Sequence, residues 1–388
     1  MRWCWLVFLA VLMASCSGEG NLPLPESSCR YARFFDVLET DSSVAVVLIS
    51  PDGRKRDTVR VDEPVENIIC MSSSHVAALS QTGADSLISA VSGIGYISSP
   101  VLRDRYDRTE GVHRGCKKNP SHAVGAGPSP CGQGGSTLFT PPMHPLYDIG
   151  YESGLDYERI LELKPDMLMA YTVSMAEPPY IAKLRSMGIP VMIIHDHLEN
   201  HPLARAEYVR LFGALTHRLH EADSVFTAVC DRYESLAADV AESGSRPRKV
   251  LINTPYADAW YIPGEDSYMS RLIRDAGGLV LGSQPGTSVS GVVSLEKAYQ
   301  LSLQADLWLD PGNYRTRSEL RDAHQLFPRF GPLSEDLPIY NNTLRTTPEG
   351  GNDFWESGAM RPDLILQDLI AILQGDSSRD MNYFISLE

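Results

Sequence analysis

Apolar and polar positions alternate on two different periods along this chain, and the switches between them mark its elements. From Tyr31 to Val61 the period is two, around Pro51-Asp52-Gly53, which predicts a small β-hairpin. Asn67–Met71 and Leu87–Val91 are short apolar runs suited to buried strands, and Ser72-Ser73-Ser74 caps a helix over His75–Gln81 that stops at Gly83. From Leu155 the pattern is regular. A helix over Tyr157–Leu163 is followed by a Lys164-Pro165-Asp166 turn, a strand over Met167–Tyr171, a helix over Tyr180–Met187 and a strand over Pro190–Ile194. Leu203–Glu242 carries helical spacing only, divided near Gly213 or His217, with a long second helix over Leu219–Glu242. The alternation then restarts with a strand over Lys249–Asn253, helices over Tyr268–Ala276 and Leu295–Leu303, a strand over Asp306–Leu309 and a closing helix over Asp363–Leu373. Helix, short turn and strand in alternation predict a parallel α/β architecture. Residues 107–145 break the pattern: rich in Gly, Pro, Ser, His and Lys, they read as a long surface loop.

The two α/β halves share an order of parts. Each has a helix, a glycine stop, a strand, and then a helix opened by a glutamate (Glu158 or Glu296) that runs to an aspartate and a further strand. Duplication predicts two like α/β lobes joined by a helical segment, with a ligand cleft between them. The division expected is a signal peptide (1–16), a tether and hairpin (17–60), an N-terminal lobe (61–198), a helical linker (199–243), a C-terminal lobe (244–375) and a tail (376–388).

The first residues modify this picture. Met1-Arg2 gives a positive charge, Trp3–Met13 is apolar but too short to span a membrane, and Met13-Ala14-Ser15-Cys16 is a small-residue cleavage site ending on cysteine. This pattern resembles a bacterial lipobox, so Cys16 is the expected lipidation site and Ser17–Ser28 a flexible tether. The expected location is the periplasmic side of the cell envelope, as a membrane-anchored lipoprotein with a soluble body. A net charge of −15 argues against a nucleic-acid partner. Of seven cysteines, Cys116 and Cys131 are the local candidates for a disulfide in an oxidising compartment.

Several stretches together resemble the substrate-binding proteins of iron–siderophore, haem and cobalamin ABC importers. They are Ile68–His75, Gly154-Leu-Asp-Tyr-Glu-Arg-Ile-Leu-Glu-Leu-Lys-Pro-Asp166, Trp260–Tyr268, Asp275–Gly278, Val293–Glu296 and Gly350–Gly358, spread over residues 60–375. Gly350–Gly358 and Trp260-Tyr-Ile-Pro-Gly resemble Bacteroidetes-type lipoproteins. The resemblance implies two Rossmann-like lobes joined by one long α-helix, in a monomeric binder that closes modestly on its ligand and performs no chemistry. Its partners would be an iron–siderophore complex, haem or cobalamin, an ABC permease with its ATPase, and the membrane through the lipid anchor. It also implies that Glu158 and Glu296 dock onto permease arginines. Each opens a helix, where the dipole favours a carboxylate.

Ligand-binding candidates lie at the carboxyl ends of strands and in the loops that follow: Ser73, Ser74, His75, Tyr96 and Tyr171 in the first lobe, and Tyr256, Trp260, Tyr261, Arg315 and Trp355 in the second. Aromatic surface with an arginine suits a large, partly anionic chelate. His195, His197 and His201 are weak metal candidates, and no resident cofactor is expected. No nucleophile elbow, zinc-protease or P-loop motif occurs. The alternative from another class is a nitrogenase-like two-lobe enzyme, with Cys70, Cys116, Cys131 and Cys230 as cluster ligands.

Overall fold

The computed structural model describes residues 28–40, 43–116, 145–173, 177–257, 259–376 and 378–388. Lipidation at Cys16 and the pairing of Cys116 with Cys131 lie outside the described residues.

The chain begins with a three-stranded antiparallel sheet, β1 (Phe35–Thr40), β2 (Ser43–Ile49) and β3 (Arg56–Val61), where the alternation predicted a two-stranded hairpin. The turn at Pro51-Asp52-Gly53 joins β2 to β3 with Leu48 opposite Asp57, and Phe35, Val37 and Val46 point into the core.

The first lobe follows with β4 (Ile68–Cys70), α1 (Ser73–Gln81), β5 (Ile88–Val91), α2 (Pro100–Cys116), β6 (Tyr147–Asp148), α3 (Tyr157–Leu163), β7 (Met167–Tyr171), α4 (Pro179–Ser186) and β8 (Val191–Ile194). Its strands form a parallel sheet in the order β6-β5-β4-β7-β8. Successive residues of β4 serve opposite faces: Ile68 joins the apolar cluster under α1, and Ile69 the cluster under α3 and α4.

Part of the expected loop 107–145 is helix, since α2 runs through Asp107 to Cys116. Its inward positions, Leu102, Arg105 and Thr109, recur at helical spacing, but two of the three are polar and hide the period. Arg105 is tolerated inside because its guanidinium donates to the Asp85 and Ile88 carbonyls.

Two helices, α5 (Pro202–Leu215) and α6 (Leu219–Glu242), connect the lobes. α6 is the long one, at 24 residues. The two pack closely because Gly213 has no side chain: a Cβ there would lie 2.4 Å from Cβ of Ala222. α5 packs on α1 and the N-terminal sheet, and α6 turns towards the second lobe.

The second lobe comprises β9 (Arg248–Ile252), β10 (Pro255–Tyr256), β11 (Ala259–Ile262), α7 (Tyr268–Asp275), β12 (Gly278–Val280), β13 (Gly291–Val293), α8 (Leu295–Ser302), β14 (Leu307–Leu309), α9 (Arg317–Ala323), α10 (Gly331–Ser334), β15 (Ile339–Asn341), α11 (Ser357–Met360), α12 (Pro362–Gln374) and β16 (Ile385–Ser386). The main sheet runs β12-β9-β14-β15-β16. β9 lies between β12 and β14 just as β4 lies between β5 and β7, so four parallel strands of the two sheets correspond; β6 edges the first sheet beside β5, and antiparallel β16 edges the second beside β15. A small antiparallel sheet, β10-β11-β13, is added to the second.

Trp260, a ligand candidate, is instead fully buried in this lobe's core, stacked on Trp308 and Phe330 with centroids 5.9 and 5.7 Å away. β11 alternates Trp260 and Ile262 inward with Tyr261 outward, so its aromatic pair is split between core and surface.

Candidate functional site

The strands of the first sheet end in a polar layer. Ser74 and His75, at the start of α1, are buried, and His75 lies against Phe212 of α5. Beyond β8, Asp196 is 5% exposed. Burial opposes its charge, but His197, whose Nδ1 lies 3.8 Å from Oδ1, the Ser74 hydroxyl, and the charges of His75 and Arg205 together hold the carboxyl well below its ordinary range. Burial in turn pushes the His75 imidazole down.

From this layer a chain of contacts crosses to the second lobe. Tyr171, at the end of β7, meets His197 edge-on at 6.0 Å. The His197 carbonyl accepts from Arg205 Nη2 at 2.9 Å. The Arg205 guanidinium lies over Tyr268, 4.2 Å from its centroid, and 5.9 Å from the Trp355 ring. Tyr268 opens α7, which Ser267 caps by accepting from the Ser270 amide. The Tyr268 hydroxyl and Nε of Arg205 are buried without hydrogen-bond partners among the described residues. Burial pushes the Tyr268 phenol up to about 12, so it is a donor at any working pH.

A cavity of about 390 Å³ adjoins this cluster, with Tyr31, Arg33 and His201 on one side and Asp266, Arg271 and Thr287 on the other. A second cavity, about 570 Å³, lies between the N-terminal sheet and β8.

The lobes also meet at a latch. Oε2 and Oε1 of Glu356 accept from the Ser98 and Ser99 amides at 2.6 and 2.9 Å. Thr347 Oγ1 donates to the Gly95 carbonyl at 2.6 Å, and Gly351 sits so close to Tyr96 that a Cβ would fall 2.3 Å from the Tyr96 carbonyl oxygen. Burial raises the Glu356 carboxyl to about 7, against the pull of these amides.

Among the sequence candidates, Tyr171, His197 and Trp355 share the cross-lobe cluster, with Ser74 and His75 in the layer beneath. Tyr96 stands at the latch against Tyr151, with 5.6 Å between centroids. Tyr256, Tyr261 and Arg315 are exposed, and no contact among the described residues ties them to the cluster. The three histidines expected as possible metal ligands diverge. His195 lines the larger cavity, His197 meets Tyr171, and His201 caps α5 by accepting from the Leu203 amide at 3.1 Å. No metal-holding group occurs among the described residues.

Arg205, Tyr268 and Arg271 were not anticipated, because they lie on helices rather than in post-strand loops. The available signal was Arg205 within Pro202–Leu215, an otherwise mostly apolar helix. Glu158 and Glu296 are both exposed in the first turns of α3 and α8, behind the N-caps Asp156 and Ser294.

Residues 124–314 match the family model described as periplasmic binding protein. An uncharacterised lipoprotein of Methanocaldococcus jannaschii is 24% identical over 251 residues, 62% of this chain and 56% of that relative's own length. A periplasmic binding protein from Veillonella parvula shares the fold with a TM-score of 0.56 at 13% identity, covering 86% of this chain and 98% of that one. Periplasmic heme-binding proteins of Roseiflexus sp. RS-1 and Vibrio cholerae give TM-scores of 0.52 and 0.53, each at 17% identity, covering 80% and 78% of this chain and 98% of theirs. At these identities the likeness concerns the fold.

Proposed function

Proceeding from a chain that belongs to the periplasmic binding protein family, we propose that it is the lipid-anchored binding component of an ABC importer, capturing an iron–siderophore complex between its lobes. The observation that carries this reading is the Arg205–Tyr268–Trp355 contact. It brings one cation and two aromatic rings from both lobes together beside unpartnered buried donors. Such a surface suits a chelate with flat ligand arms and anionic oxygens. The chelate would occupy the seam bounded by Tyr171 and His197 on one lobe and Tyr268 and Trp355 on the other. Glu158 and Glu296, exposed one per lobe, would then meet arginines of a permease, and Cys16 would keep the binder at the membrane.

Haem is the second reading, favoured by the Tyr171–His197 pair, since a phenolate and an imidazole are both ligands of haem iron; cobalamin belongs to the same ligand class. The family binds rather than transforms its ligands. Burial also speaks against a cysteine-held cluster, because Cys70 and Cys230 lie in the separate cores of the two lobes, with their thiols pushed up by desolvation.

Equilibrium dialysis against ferric siderophores, haemin and cyanocobalamin tests the proposal. Saturable binding of a ferric siderophore below about 10 μM supports it. Binding of haemin or cobalamin alone moves the reading to the second, and binding of none refutes it.

A further inference from the structure

The segment that leads from the tether into the fold is fixed at the edge of the seam. Glu207 of α5, wholly buried, accepts from the amides of Arg30, Tyr31 and Ala32 at 2.7–2.8 Å. Glu199 accepts from the amides of Arg33 and Phe34 at 2.7 and 3.2 Å. Two carboxylates thus hold five consecutive amides, and residues 30–34 form a strap along the first lobe. The strap also reaches the second half of the chain, where Arg30 pairs with Glu234 of α6 at 2.7 Å and Tyr31 packs edge-on to Phe226.

Across the cavity from the strap stands Arg271, one turn beyond Tyr268 on α7. Its Nε is buried without a partner, and its guanidinium has no ion pair or hydrogen bond among the described residues. A buried donor left unmade is costly, so such a site favours an incoming acceptor. Arg33 faces the same space and is bound only loosely, with Nε 3.4 Å from Glu199 and Nη2 3.4 Å from the Leu198 carbonyl. The His201 ring adds no charge, since burial, with Arg271 beside it, pushes its pKa down to about 4. Glu199 and Asp266 are the carboxylates of the lining; Glu199 is taken up by the strap amides, and Asp266 offsets part of the positive charge, so the unmet demand for an acceptor rests on the Arg271 guanidinium.

We propose that the cavity between the strap and α7 is a subsite for a carboxylate on the bound ligand, held by Arg271 with Arg33 opposite. The strap thereby makes the chain just after the tether part of the binding surface. This rests on the chelate-binding function proposed above.

Two measurements separate the inference from that function. In the first, the Arg271 Nε–H resonance, assigned by its loss in Arg271→Gln, is followed while acetate is added to the protein. A saturable shift is expected. No shift up to about 100 mM overturns the subsite, whatever the fate of the chelate reading. In the second, two ferric tris-hydroxamates are compared, one ending in a carboxylate and the other in the matching primary amide. The wild type should prefer the acid by about tenfold, the effect of one charge-assisted hydrogen bond. Arg271→Gln should abolish that preference while retaining the amide form, and Asp266→Asn should enlarge it. Equal binding of both chelates overturns the subsite and leaves the function standing. If neither chelate binds but acetate shifts Arg271, the function fails and the subsite stands.

Discussion

The guanidinium of Arg205 lies 4.2 Å from the centroid of the Tyr268 ring, and this contact ties the first lobe's α5 to the first turn of the second lobe's α7. A cation over an aromatic face contributes about 0.5–2 kcal/mol, depending on desolvation. The Tyr268 hydroxyl, by contrast, is buried with no acceptor among the described residues. Tyr268→Phe keeps the stacked ring and removes the unpaired group. It should leave urea stability unchanged or raise it by up to about 1 kcal/mol. The same change should weaken ligand binding about tenfold if the hydroxyl awaits a ligand acceptor. Lowered stability with unaltered binding would make the hydroxyl purely structural.

Glu207 holds three strap amides from a fully buried position. Glu207→Ala should cost about 2–4 kcal/mol, because it orphans those donors as well as removing the carboxylate. Hydrogen exchange should accelerate first at Arg30, Tyr31 and Ala32. Retained protection there would contradict the clamp.

The pH dependence of stability follows from groups perturbed in opposite directions. The Glu356 carboxyl is raised from 4.5 to about 7, as is that of Asp310 from 3.8, both chiefly by burial. A raised carboxyl binds its proton more tightly in the folded protein. Its contribution is therefore complete below the ordinary carboxylate range and lost as pH rises through 7. His201 is lowered from 6.5 to about 4, so its contribution is present above 6.5 and lost as pH falls towards 4. Between about pH 4.5 and 6.5 the two carboxyls outweigh the one histidine, so stability from these groups should be highest near about pH 4–4.5 and fall as pH rises to about 7. Glu356→Gln should make that fall shallower, and His201→Asn, which keeps a capping acceptor, should make it steeper below about pH 6.5. Thermal unfolding between pH 4 and 8 measures both, and unchanged slopes would refute the assignments.

Permease docking predicts a split between uptake and binding. Glu158→Lys combined with Glu296→Lys should reduce ligand uptake by cells at least tenfold while leaving affinity within twofold, since both side chains are exposed on the first turns of α3 and α8. Lost affinity, or undiminished uptake, would contradict the docking role.

Much of the scaffold was legible because caps and periodicity agreed. Tyr157–Leu163, Met167–Tyr171 and Leu219–Glu242 appear with the bounds expected. The strand order of the two sheets matches the repeat anchored on Glu158 and Glu296. The start of α2 was hidden because Arg105 and Thr109 occupy inward positions where the pattern seeks apolar residues. β10, β11 and β13 were missed because they are two to four residues long and pair across a gap in sequence. The site was only half legible. Post-strand loops drew attention to Tyr171, His197 and Trp355, which the structure brings into one cluster. Periodicity could not separate Trp260, stacked in the core, from Tyr261 beside it on the surface, nor reveal that Arg205 and Tyr268 would meet.

The central claim is that a ligand binds where Trp355 approaches Arg205, and tryptophan fluorescence tests it most directly. Titration with a ferric siderophore, haemin and cyanocobalamin should quench the wild type saturably for one of them. Trp355→Phe should lose most of that signal while dialysis still reports binding, and Arg205→Ala should weaken binding at least tenfold. Quenching unchanged in Trp355→Phe, with full affinity in Arg205→Ala, would place the ligand elsewhere and contradict the account.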